Sequence, residues 1–108
     1  MLESCTHIGL PHYLILGAIL LTLGIIGVLT RRNAIGILMS LELIFNAINV
    51  TAVAFNHFLY PAMPTGQVWA IFVITIAAAE AAVGLAIILA VYRSYRTINV
   101  DQINLLRW

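Results

Sequence analysis

Three long apolar runs dominate the chain, separated by two short polar breaks. The first runs from Tyr13 to Thr30, the second from about Ala34 to Phe55, and the third from about Val68 to Tyr92. A bilayer core about 30 Å thick needs about 20 apolar residues of helix. Each run therefore predicts one transmembrane helix, over 13–30, 34–55 and 68–92. Arg31-Arg32-Asn33 reads as a tight polar turn after the first helix. Pro61-Ala62-Met63-Pro64-Thr65-Gly66 reads as a loop, because two prolines and a glycine interrupt helical hydrogen bonding. The tail, 93–108, alternates polar and apolar residues and is too short and too polar to cross. The expected fold is an all-α membrane protein, a single integral domain over 1–108 with three transmembrane helices.

Composition supports this reading. Of 108 residues, 63% are hydrophobic and 8% charged, against about 45–50% and about 25% in soluble domains. So few polar side chains cannot cover the surface of a small soluble fold. A water-soluble enzyme, a nucleic-acid binder and a disordered tail are excluded. The segment before the first run carries no Lys or Arg, and no A-x-A site follows the run, so it reads as a mature helix and not a signal peptide. The lone Cys5 offers no internal disulfide. His7, His12 and His57 are scattered without Cys or acid company, which suggests no metal site.

The basic residues are all arginines, and their placement sets an expected orientation. Arg31 and Arg32 lie in the first loop, and Arg93, Arg96 and Arg107 in the tail. The N-terminal segment and the Pro-rich loop have none. The positive-inside rule then puts the N-terminus outside and the C-terminus inside. Tyr60, Trp69, Tyr92 and Tyr95 fall near expected helix ends, where aromatic rings favour the interface.

Two of the four acids, Glu42 and Glu80, lie inside expected spans. Placing each near a helix centre costs on the order of 3 kcal/mol on insertion scales, and folding alone requires neither. Glu42 follows Arg32 by ten residues, about 15 Å of helix, and Glu80 precedes Arg93 by thirteen, about 20 Å. Both fall near the midplane, with an expected offset of roughly one helical turn. Were the second and third helices neighbours, the two carboxyls would lie within one or two water molecules of each other. No Lys, Arg or His lies mid-span, and an unaccompanied carboxyl out of water favours its protonated form. Such a group can load and release a proton. The plainer alternative is a pair of protonated acids that bond neighbouring helices together.

Helical spacing places Asn46, Asn49 and Asn56 at about 40°, −20° and −40° from Glu42, a polar stripe with Ser40 and Thr51 opposite. The stripe reads either as the lining of a hydrated path or as interhelical hydrogen bonding. Glu80 sits among small residues, with Gly84 on its face and Ala77 nearby, which would let a helix of another chain approach. Gly17, Gly24 and Gly27 share one side of the first helix and read as a packing groove.

The segments L-E-L-I-F-N-A-I-N (41–49) and A-A-A-E-A-A-V-G-L-A (77–86) resemble the two glutamate-bearing segments of one family. It is the smallest membrane subunit of proton-pumping NADH–quinone oxidoreductase, subunit K or chain 4L. The Arg31-Arg32-Asn33 turn matches as well, and the closing N-L-L-R-W resembles bacterial and plastid tails. The resemblance covers about Tyr13 to Trp108, while 1–12 is longer than usual for the family and gains no role. It implies a subunit between quinone-proximal and antiporter-like subunits, in a bacterial inner membrane. It also implies proton-relay roles for Glu42 and Glu80, a supporting polar face at Asn46 and Asn49, and a cytoplasmic arginine pair at Arg31 and Arg32. This chain would hold no cofactor; the complex would carry FMN and iron–sulfur clusters and use a quinone. A related subunit of multisubunit cation/proton antiporters shares the topology but generally lacks the second-helix glutamate, so Glu42 favours the oxidoreductase.

Overall fold

A computed structural model describes residues 7–103 of the chain. Cys5, Arg107 and the closing N-L-L-R-W lie outside the described residues. Three helices follow one another: α1, Leu10–Thr30; α2, Ala34–Leu59; and α3, Thr65–Tyr95. All three are long and apolar enough to cross a membrane. They run longer than hydropathy alone predicts. Helix α1 starts early because the backbone N–H of Gly9 donates to His12 Nδ1 and the N–H of His12 donates back to the Gly9 carbonyl, both at 3.1 Å. Helix α2 continues to Leu59 because no breaker appears before Pro61. Helix α3 begins directly after Pro64, so Thr65 and Gly66, expected in the loop, form its first turn.

Helix α2 is the middle element, packed against α1 on one side and α3 on another. The assembly is a slab of 62 × 31 × 18 Å. Its enclosed residues are small: Gly17 and Gly24 on α1, Ser40, Ala47, Ala54 and Asn56 on α2, Ala70 and Ala77 on α3. Large side chains such as Ile19, Leu23, Ile71, Phe72 and Leu89 point outward. Lipid tails are as apolar as leucine, so helices in a bilayer associate through close backbone packing and not through burial of large residues.

The α1–α2 seam shows this directly. A Cβ added to Gly24 would sit 2.6 Å from Ile44 Cγ1 and 3.0 Å from the Ser40 carbonyl, and one at Gly17 would sit 2.6 Å from Thr51 Oγ1. Gly27 meets the Ser40 hydroxyl in the same way. Ser40 and Thr51 turn their hydroxyls back onto the Gly36 and Ala47 carbonyls, each at 2.8 Å, and so present no unpaired polar atom to α1.

The arginine-bearing end of the slab is strapped. Asn33 caps α2 by accepting from the N–H of Ile35 at 2.8 Å. Helix α3 stops at Arg96, which adopts a left-handed conformation with φ 58° and reverses the chain. The tail then pairs with the first loop. The N–H of Ala34 donates to the Ile98 carbonyl (2.9 Å), and that of Val100 to the Arg32 carbonyl (3.0 Å). A 3-10 turn at Val100–Gln102 brings Asp101 Oδ2 to 3.5 Å from Arg32 Nε.

Candidate functional site

Helices α2 and α3 touch along a seam whose register can be read from its glycines. Gly84 lies against Leu38, and Gly66 lies against Ala52 and Asn56. Carrying this antiparallel register between the two contacts sets Glu42 level with Glu80. The expected offset of one turn is thereby corrected.

The two carboxylates are nevertheless on different flanks of the seam. Glu42 is half-buried in a groove of about 440 Å³ whose lining includes Leu38, Asn46 and Asn49 from α2 and Ala77, Ala78 and Ala81 from α3. Glu80 does not line that groove and is exposed. On an α-helix it projects about 60° to one side of Ala77, while Ile74 and Ala81 project about 60° and about 40° to the other. The groove follows Ile74 and Ala81, so Glu80 emerges on the opposite face of the slab. Neighbouring helices thus set the two acids level without placing them in one groove. Among the described residues neither acid has an ion-pair partner; Arg32–Asp101 is the salt bridge present.

Ala77 and Gly84 also find a different role from the one expected. They pack against α2 of the same chain and let that helix approach, with a Gly84 Cβ position 3.3 Å from Leu38 Cδ1. Glu80 stands at the edge of this internal seam.

Of the expected polar stripe, Asn46 and Asn49 line the groove with Glu42. Asn56 does not join them. It is buried against α3, accepts from the N–H of Gly66 at 2.6 Å and donates to the Tyr60 carbonyl at 3.2 Å. It clamps the loop that turns α2 into α3. A helical wheel placed it on the stripe because its angle, about −40°, also points at the seam.

The stripe continues instead through residues that the sequence reading passed over. A second cleft, about 500 Å³, adjoins the first toward the Pro61–Pro64 loop. Asn49 and Ile74 line both clefts, and Val53, His57, Gln67 and Ala70 line only the second. Gln67 was missed because it stood at the edge of the expected loop. Its spacing from Ile74 and Ala81, seven and fourteen residues, puts it on the groove side of α3.

The arginine pair divides. Arg31 lays the aliphatic part of its side chain over Gly36, whereas Arg32 is paired with Asp101 of the tail.

Comparison with known proteins agrees with these features. The family described as NADH-ubiquinone/plastoquinone oxidoreductase chain 4L matches residues 12–108. An NAD(P)H-quinone oxidoreductase subunit 4L of Synechocystis sp. is 55% identical, covering 94% of this chain and 99% of the relative. An NADH-quinone oxidoreductase subunit K of Desulfitobacterium hafniense is 53% identical, covering 94% and 96%. A chloroplastic subunit 4L of Staurastrum punctulatum is 57% identical, covering 92% and 99%. These relatives favour the oxidoreductase over the antiporter reading. The chain is a three-helix member of the chain 4L (subunit K) family, and with it a multi-pass membrane subunit of an NADH-quinone oxidoreductase complex.

Proposed function

We propose that Glu42 and Glu80 pass protons across this subunit, as part of the coupling between quinone reduction and proton translocation. The reading is carried by one observation: the two acids inside the spans stand level with each other on opposite flanks of the α2–α3 seam. A subunit interposed between two others needs that arrangement. One acid faces the neighbour that delivers the proton, and the other faces the neighbour that accepts it. The chain supplies no cation to either carboxylate among its described residues, so changes in charge are governed by neighbouring subunits and by water. Such exchange supports a switchable relay more than a fixed ion pair.

The partners in this reading are the quinone-proximal subunit on one face and an antiporter-like subunit on the other. FMN and iron–sulfur clusters belong to other subunits of the complex, and this chain handles protons only. The arginine-bearing end faces the cytoplasmic side, by the positive-inside rule.

The test uses inside-out membrane vesicles carrying the complete complex. In the Glu42→Gln and Glu80→Gln variants, quinone reduction and proton uptake are measured together. Loss of most proton uptake in each variant, with the complex still assembled, is expected. Normal stoichiometry and rate in both would overturn the relay and leave the acids as interhelical bonds.

A further inference from the structure

We propose that Asn49 and Gln67 hold a cluster of ordered water between α2 and α3, and that this water extends the polar track of Glu42 to the loop end of the slab beside His57. The proposal deepens the relay reading and rests on it.

Two atoms carry it. Asn49 Oδ1 and Gln67 Oε1 are both buried side-chain acceptors, and neither receives a hydrogen bond from any described residue. Both residues line the same cleft, of about 500 Å³. Buried acceptors in proteins are paired almost without exception, and hydrocarbon offers them no donor. Of the remaining walls, Val50, Val53, Ala54, Phe58, Ala70 and Ile74 have no side-chain donor to give, and the donors of Tyr13 and His57 reach neither oxygen. A lipid chain entering the cleft would leave both oxygens unpaired. Water satisfies them. A buried site needs room, about 30 Å³ per molecule, and two to four polar partners, and here the cleft gives the room and two amides and a histidine give the partners.

The track has a direction. Asn46 and Asn49 line the Glu42 groove, and Asn49 also lines the cleft that Gln67 and His57 close toward the loop. From Glu42 to Asn49 the rise is about 10 Å, and from Asn49 to His57 about 12 Å. Each interval is broken by a polar side chain or by the cleft itself. On the opposite face of the slab α2 carries Ile48, Ala52 and Phe55, which line a cleft against α1 that includes no amide. The two acids therefore differ in access. Glu42 is wetted from the loop end, and Glu80 is reached through neighbouring subunits.

Thiol labelling of the assembled complex tests this. A thiol reacts as its thiolate, which forms only in water. Val53→Cys places a thiol in the cleft wall, and Ile48→Cys places one on the opposite flank. Right-side-out and inside-out vesicles are treated with a small, membrane-impermeant methanethiosulfonate, and modification of this chain is read by mass spectrometry. The expected result is modification of Val53→Cys at least tenfold faster than of Ile48→Cys, from the loop side. Adding Asn49→Leu should slow it at least fivefold. If that chain does not assemble, Gln67→Leu at the mouth carries the same comparison. Equal rates for the two thiols, or an inert Val53→Cys because a neighbouring subunit's side chain fills the cleft, would overturn the proposal. The outcome is separable from the relay. Proton uptake lost in Glu42→Gln beside an inert Val53→Cys sinks the water site alone, whereas a reactive Val53→Cys beside normal pumping in Glu42→Gln sinks the relay alone.

Discussion

Along its contact with α1, helix α2 meets three glycines and closes on them so tightly that a single added carbon would collide with Ile44, Ser40 or Thr51. Along its contact with α3 it meets alanines and two glycines, Gly66 closely and Gly84 loosely. Clefts flank both seams, but the one beside α1 is lined by apolar side chains and Thr51, whereas the two adjoining clefts beside α3 hold Glu42 and the amides. The polar residues divide in the same way. Ser40 and Thr51, on the tight side, spend their hydroxyls on their own helix. Glu42, Asn46 and Asn49, on the open side, face space. The first seam holds α2 in place and the second displays its chemistry. In a chain with so little enclosed volume, one helix does both because its two sides carry different residue sizes.

That contrast is broken most violently by closing the gap in the tight seam. Gly24→Leu puts a branched side chain where no Cβ fits, an overpacking cost of about 3 kcal/mol or more. The subunit should vanish from the assembled complex on a native gel. On the open side the same kind of enlargement should be tolerated by the fold and felt by the function. Ala78→Leu projects into the Glu42 groove from an exposed position. The complex should assemble at normal levels while proton uptake per quinone reduced falls severalfold. If Ala78→Leu blocks assembly as Gly24→Leu does, the two seams are not different in kind.

Much of this could be read from the residues alone. The three spans, the Arg31-Arg32 turn and the depth of both acids follow from hydropathy and charge spacing, because lipid punishes any departure from a long apolar helix. Facing was less legible. The wheel angle of Asn56 suits a groove residue and a seam residue equally, and only the contact with Gly66 decides. The small residues around Glu80 announce close packing without naming the partner, which is α2 of the same chain. The return of the tail onto the first loop left no pattern at all. It rests on two backbone hydrogen bonds and one exposed ion pair, with no periodic signature.

Changes in the strap at the arginine end have smaller effects. Arg96 holds a left-handed backbone conformation, φ 58°, which costs a side-chain-bearing residue about 1 kcal/mol relative to glycine. Arg96→Gly should raise the thermal stability of the purified complex slightly, without changing turnover. Smaller still is Asp101→Asn. The ion pair it breaks is exposed, 80% and 47% at its two side chains, and such pairs are worth at most about 1 kcal/mol. Assembly, measured on the same native gel, should be unchanged, because the backbone hydrogen bonds of the strap remain.

Both intramembrane acids are expected to change protonation as the complex works. Infrared difference spectroscopy of the complex, oxidised against turning over, reads the C=O stretch of protonated carboxyls directly. One carboxyl band should disappear from the difference spectrum in Glu42→Gln and a second in Glu80→Gln. Unchanged difference spectra in both variants would contradict this.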